Sequence, residues 1–214
     1  MSRIVQATFE DLPRLARCHR VAFPKTLSTA MGQKYVEKML EWYLVDDRAF
    51  IFLLEEDDQC VGYCGGLKFD GNTRVGSASS MIQHSFNAAA KAILIRPWLL
   101  VHSEFVSKYG LALKNIWRRL TRDKQPSLNS AILQADSVEP HAGLVVIGID
   151  PTYQGKGYGS RLLQEFEAVA KKMGFAILKL TVKSTNATAI KSYQRNGWSI
   201  VNDDRKSVTM TKKI

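Results

Sequence analysis

A chain of 214 residues with 45% apolar and 23% charged side chains has the length and composition of one globular domain with a real core, which excludes wholesale disorder. Its formal net charge of +10 asks for an anionic partner: a phosphate-bearing ligand, nucleic acid or a membrane surface. Three cysteines do not make a disulfide framework at this length, and no second Cys/His pair follows Cys60 and Cys64 at ligand spacing, so no metal site is expected.

Residues 3–7 read as a strand. Thr8 with Asp11 three later marks a helix start, and Leu12, Leu15, Ala16, Cys18, Ala22 and Phe23 form its apolar stripe, which should stop before Pro24. The segment 25–32 is rich in Ser and Thr and reads as a loop. A second amphipathic helix carries Tyr35, Val36, Met39, Leu40, Tyr43 and Leu44. Residues 49–54 and 60–69 make a hairpin around the acidic turn 55–58, with Cys60 and Cys64 on one face of the returning strand. The first fifteen residues carry charges where a signal peptide needs an apolar core, and the apolar stretch 86–106 is broken by Lys91, Arg96, Pro97 and Glu104. The expected compartment is the cytoplasm.

The character then changes. Residues 71–80 are rich in Gly and Ser and read as a flexible connection. Beyond them Tyr109, Leu113, Ile116, Trp117 and Leu120 line one helical face. Residues 78–126 hold eight basic and two acidic side chains, a net +6 in under a quarter of the chain. The segment from about 71 to 130 is expected to be a basic helical insertion after the first hairpin. Regular alternation returns with strands at 144–149, 177–182, 198–201 and 207–213 and helices at 157–173 and 187–195. Residues 202–205 should turn the last hairpin. Strand–helix–strand units mixed with hairpins predict a mixed α/β sheet.

The informative run is residues 144–163, a buried strand that enters a Gly-rich loop and opens a helix. Gly155, Gly157 and Gly159 let backbone approach a ligand, and the helix N-terminus adds partial positive charge, which suits a pyrophosphate. Lys156 and Arg161 can add charge-assisted contacts. A Walker loop is excluded, because Gly157 follows Gly155-Lys156 where Ser or Thr is needed and Asp150 replaces the earlier Gly. A dinucleotide fingerprint is excluded because Ser160 and Leu162 stand where its third Gly belongs.

The run Gln154-Gly155-Lys156-Gly157-Tyr158-Gly159 resembles the acetyl-CoA loop of the GNAT superfamily of acyl-CoA N-acyltransferases. Asn186-x-x-Ala189-x-x-x-Tyr193-x-x-x-Gly197-Trp198 resembles its second landmark, with Trp for Phe. The likeness covers residues 140–214 closely and 1–70 loosely, and leaves 71–130 unmatched. It implies one GNAT-like domain over residues 1–214, with splayed central strands and the insertion added. It also implies acetyl-CoA as cofactor, with the pantetheine arm along Ile147, Gly148 and Ile149. The pyrophosphate would sit on the backbone from Gln154 through Gly155, Lys156, Gly157, Tyr158 and Gly159 to Ser160. Asn186 would contact the arm or cap the helix, and Tyr193 would protonate the departing thiolate. The glutamate that many relatives place before the loop is replaced by Gly143, so Glu139 and His141, and more weakly Asp136, stand in as bases.

The acceptor side in this superfamily is formed by the N-terminal helices and the loop between them, which places Ser28, Thr29 and Gly32 there. The run Phe23-Pro24…Ser28…Gly32…Tyr35 with a basic, Trp-containing insertion resembles GNAT proteins of bacterial surface-polysaccharide synthesis. That likeness implies an amino-sugar acceptor, nucleotide-linked or lipid-linked, with peripheral membrane contact through the insertion as one use of its charge. The stripe at 109–120 reads as core or a homodimer contact. Other readings stay open: a protein or small-amine acetyltransferase, and a CoA-binding module whose catalysis has decayed. Nucleic acid is not expected, because Trp98 and Trp117 sit within apolar runs.

Overall fold

The computed structural model describes residues 2–71, 77–104 and 139–214. The elements are β1 (Arg3–Gln6), α1 (Leu12–Ala22), α2 (Leu27–Met31), α3 (Gln33–Val45), β2 (Ala49–Glu56), β3 (Gln59–Phe69) and α4 (Ser77–Ile95). After them come β4 (His141–Ile149), α5 (Tyr158–Lys172), β5 (Ile177–Lys183), α6 (Ala187–Arg195), β6 (Ser199–Asp203) and β7 (Ser207–Lys213). The seven strands form one sheet in the order β1-β2-β3-β4-β5-β7-β6. Every neighbouring pair is antiparallel except β4 and β5, which run parallel. This is the mixed α/β sheet expected from the alternation of elements.

Helices cover both faces. On one face α5 buries Leu162, Leu163 and Phe166 against Phe50, Phe52, Leu54, Cys64 and Leu144. Each such side chain contributes about 1.5–3 kcal/mol on leaving water. On the other face α1 and α3 bury Leu15, Val36, Leu40 and Trp42 against Ile51, Leu53, Tyr63 and Leu67. The Thr8–Asp11 start is realised, with Asp11 Oδ2 accepting the Thr8 N–H at 2.7 Å. Among the described residues no helix is long and apolar enough to cross a membrane.

Four local expectations are corrected. The predicted loop at 25–32 contains α2. A five-residue helix does not persist alone, and this one is held at both ends by distant side chains: Glu104 Oε2 accepts the Leu27 N–H at 3.0 Å, and Arg96 Nη1 donates to the Ala30 carbonyl at 3.0 Å. The connection predicted at 71–80 becomes α4 from Ser77 onward. Strand β6 runs on to Asp203, so the last turn lies at 204–206. Cys60 and Cys64 do not share a face. A bulge opposes Leu54 to Gly62 and Glu55 to Cys60, so Val61 is one residue extra and the alternation flips there. Cys60 packs toward the α1 side and Cys64 toward the α5 side. The stripe from Tyr109 to Leu120, most of the basic residues of 78–126, and Asp136 lie outside the described residues.

Candidate active site

Strands β4 and β5 pair only from Ala142–Leu178 to Leu144–Leu180. Both then continue, β4 to Ile149 and β5 to Lys183, without pairing to each other. They open as a V, and past Leu144 the β5-side edge of β4 has no strand partner among the described residues. At the point of divergence β4 carries a bulge. Leu144 opposes Gly66 and Val146 opposes Gly65, so Val145 has no partner in β3 and its side chain is exposed. Sequence reading expected splayed strands but did not find this bulge, because an apolar run has no residue that marks one.

Ile147 and Ile149 point to the α5 face, where they pack on the core. Gly148 points to the α1 face. A Cβ there would lie 2.9 Å from both the Phe23 and Tyr63 rings, so a larger residue would collide with two aromatics. The loop after β4 begins with Asp150, whose Oδ1 accepts the Thr152 N–H at 2.9 Å. Gly157, at φ 82°, is the N-cap of α5 in the left-handed region, where a side chain is strained. The N–H groups of Tyr158, Gly159 and Ser160 therefore head the helix with no helical acceptor. A Cβ built at Gly155, Gly157 or Gly159 meets no atom within 4 Å. Positive φ already calls for glycine at 155 and 157; at Gly159 neither the backbone nor the protein's own packing demands a small residue, whereas a pyrophosphate lying on the backbone does, and the cradle fits one.

Side chains around the loop are distributed unevenly. Lys156 lies 4.6 Å over the Tyr153 ring. Gln154 Nε2 donates to the Ile149 carbonyl at 3.4 Å. Tyr158 offers its backbone, because its hydroxyl donates to Glu56 at 2.6 Å and its ring joins the core. Arg161 turns away from the loop and holds the Ser2 carbonyl at 3.2 Å. Asn186 caps α6, its Oδ1 accepting the Ala189 N–H at 3.2 Å.

Tyr193, on α6, packs against the α5-side core, with its ring 6.1 Å from that of Trp198. Burial, with Cys64 as neighbour, pushes its hydroxyl up to about 12, so it stays protonated at neutral pH. Cys64 opposes Ile147, three residues past the last β4–β5 pair. Tyr193 therefore borders the V on its α5 face.

The two residues offered as bases lie elsewhere. His141 is buried at the closed end of the V, stacked on Phe69 at 4.7 Å with Nδ1 against the Glu139 carbonyl at 2.8 Å. Four residues separate it from Val145, about 13 Å along the strand. Burial pushes its imidazole below the usual value. Glu139 is exposed just outside the same end. The structure does not bring either to the bulge.

The loop read as the acceptor side is better organised than the sequence suggested. Ser28 Oγ lies 2.9 Å from His19 Nε2 and 3.0 Å from Thr26 Oγ1, and His19 Nδ1 lies 2.6 Å from the Tyr63 hydroxyl. Thr26 gives its proton to the Phe23 carbonyl at 2.9 Å. A proton then fits every contact if Ser28 donates to Thr26, His19 Nε2–H to Ser28, and Tyr63 to His19 Nδ1. Thr29 donates its N–H to Thr26 Oγ1 at 3.4 Å. Gly32, at φ 96°, turns the chain between α2 and α3 beneath the Arg96 guanidinium, which makes it a structural residue of that loop. His19 was read only as part of a helix. A single buried histidine has no sequence signal that separates it from a surface one.

Burial pushes His19 down to about 4. An unfolded histidine titrates near 6.5, so between about pH 6.5 and 4 the unfolded chain binds the proton and the folded chain does not. The stability linked to His19 is complete above that window and is lost as pH falls through it. Thermal melts should show Tm falling from pH 7 to 4.5, and His19→Gln should flatten part of that fall. A slope unchanged in the variant would place the sensitivity in other groups.

Residues 124–198 match the Acetyltransferase (GNAT) family. A mycothiol acetyltransferase of Propionibacterium freudenreichii is 32% identical over 65 residues, 30% of this chain and 21% of that protein. The ribosomal protein bS18-alanine N-acetyltransferase of Escherichia coli is 40% identical over 58 residues, 27% of this chain and 39% of that protein. The chain thus spans well under half the length of these curated relatives. Among solved structures, the PaiA N-acetyltransferase of Thermoplasma acidophilum in complex with coenzyme A superposes with a TM-score of 0.56 at 15% identity, over 100% of this chain and 99% of that one. The Escherichia coli ribosomal-protein-S18-alanine N-acetyltransferase gives 0.55 at 16%, over 100% and 94%. Residues 124–198 are thus similar to the Acetyltransferase (GNAT) family, and the described residues share the fold of the solved N-acetyltransferases.

Proposed function

We propose that the protein transfers an acetyl group from acetyl-CoA to a primary amine. The single observation that carries this is the cradle: three glycines at the head of α5 with open space beside each, at the end of a strand that has parted from its neighbour. Acetyl-CoA supplies the activated thioester. The N–H groups of Tyr158, Gly159 and Ser160 would hold its pyrophosphate, and the free edge of β4 from Val145 to Ile149 would bond the pantetheine arm. Backbone N–H at the Val145 bulge would meet the carbonyl oxygen as it gains charge. Tyr193 would return a proton to the leaving sulfur. Ser28, held by His19, would meet a polar group of the acceptor.

The amino-sugar acceptor rests on the basic insertion and on the hydroxyl-rich face around Thr26, Ser28 and Thr29, which suits a polyhydroxylated amine. A lipid-linked form would use the insertion at a membrane surface. The bS18-alanine acetyltransferase likeness supports a second reading, a protein N-terminus as acceptor.

Acetyl-CoA at a hundredfold over its Kd should stabilise the fold by about 2.7 kcal/mol, a rise in Tm of several degrees. No shift at saturating ligand would overturn the cofactor assignment. Thiol release from acetyl-CoA with amino sugars, polyamines and an alanine-terminal peptide would separate the acceptor classes.

A further inference from the structure

We propose that Cys60 and Cys18 form a reversible redox pair: Cys60 attacks a small disulfide, and Cys18 resolves the adduct to a disulfide that ties α1 to β3 at the foot of the Gly-rich loop. The inference does not depend on the transfer reading above.

The bulge in β3 places the pair. With Val61 one residue extra, Cys60 turns to the α1 side and joins the cluster that holds Cys18. Two contacts fix how α1 lies over that stretch. Arg14 pairs with Glu55, the residue of β2 directly opposite Cys60. His19 Nδ1 lies 2.6 Å from the hydroxyl of Tyr63, three residues further along β3. Cys18 follows Arg14 by one helical turn on the same face, so it falls between these two anchors and beside Cys60. The two thiols hydrogen-bond to each other, and the backbone N–H of Asp150 is directed at the Cys18 sulfur. Cys60 Sγ donates to the Gly62 carbonyl at 3.5 Å, which makes Cys18 the donor to Cys60. Gly62 opposes Ile149, the last residue of β4, and the Asp150 N–H also reaches the Val61 carbonyl at 2.9 Å. The pair therefore sits where β4 turns into the loop.

The two cysteines differ as an attacking and a resolving residue differ. Both are free thiols, Cys60 half-buried and Cys18 only 4% exposed. Cys60 beside it, and then burial, push the Cys18 thiol up, so Cys18 stays protonated and does not attack first. Cys64 is fully buried toward α5 on the other face of the sheet.

The exchange runs in two displacements. The Cys60 thiolate attacks one sulfur of the small disulfide, whose S–S bond breaks and releases the first thiol. The Cys18 sulfur then attacks Cys60 Sγ, the mixed disulfide breaks, and the second thiol leaves with the Cys18 proton. Two electrons pass from the cysteines to the small disulfide, which ends as two thiols.

The test incubates the native full chain with oxidised glutathione at about pH 8, alkylates the remaining thiols in denaturant, and reads intact mass and linked peptides. The wild type should lose two hydrogens, fall from three alkylatable thiols to one, and yield a peptide joining Cys18 to Cys60. Its Tm should rise by several degrees, because the bond restrains the unfolded chain, and dithiothreitol should reverse both changes. Cys18→Ser should stop at one glutathione adduct on Cys60, and Cys60→Ser should keep both of its thiols. Three thiols still alkylatable in the wild type, an adduct on Cys60 that does not close, or a link to Cys64 overturns the pair. A Tm that does not rise on oxidation overturns it as well, since the bond then fits only a distorted fold. Each readout is independent of acetyl-CoA turnover, so failure of the pair leaves the transfer reading standing.

Discussion

Tyr193→Phe is expected to lower kcat about 10²–10³-fold, the range of a lost general acid, while acetyl-CoA affinity changes less than twofold. The substitution keeps the ring, and with it the packing against Trp198 and the α5-side core. It removes only the hydroxyl, which makes no hydrogen bond to another described residue. Burial holds that hydroxyl as a proton donor at neutral pH, with its pKa pushed up to about 12. Replacing it by CH therefore leaves no buried partner unsatisfied, and the fold should keep its Tm within a degree or two. Turnover is read by thiol release and affinity by the thermal shift. Thiol release equal to that of the wild type would remove Tyr193 as the acid and revive the reading of a CoA-binding module with decayed catalysis.

Gly159→Val is expected to separate ligand binding from folding. A Cβ at Gly159 meets nothing within 4 Å, and the residue lies in the first turn of α5 without a positive φ. The apo protein should lose little or no stability, since glycine is itself a poor helix residue by about 0.5–1 kcal/mol. The branched side chain would stand over the N–H groups of the cradle and hold a pyrophosphate off them. A hydrogen bond to a charged group is worth about 1.5–3 kcal/mol, so losing one or two should weaken acetyl-CoA at least tenfold. Gly157→Ala should differ in kind. At φ 82° it adds about 1–2 kcal/mol of backbone strain and lowers the apo Tm as well. Titration of acetyl-CoA against each variant, with the apo melt beside it, distinguishes the two. An unchanged affinity in Gly159→Val would move the phosphate away from this loop.

Much of the fold was legible. The helical stripes of α1 and α3, the hairpin β2–β3 and the alternation from β4 to β7 follow from hydrophobic period, which depends on nearest neighbours along the chain. So does the cradle, because a left-handed N-cap and closely approachable backbone both call for glycine. The errors have one cause. Helix α2 exists because Glu104 and Arg96 hold its ends from more than sixty residues away. The bulges at Val61 and Val145 arise from strand pairing, and the first of them turns Cys60 to the face opposite Cys64.

The site divides along the same line. By itself the sequence pointed to the loop, the α6 cap and Tyr193 as candidates, since these lie on contiguous motifs whose chemistry depends on local backbone geometry. Only the tertiary structure shows what surrounds the loop read as the acceptor side. It filled the space beside Gly143 with Phe69, left His141 at the closed end of the V, buried a neutral His19 between Tyr63 and Ser28, and set Glu104 between Leu27 and Lys183. Those placements depend on register and on contacts between distant segments. No spacing along the chain encodes them, because the energy that selects them comes into being only when the sheet and its two helical layers pack together.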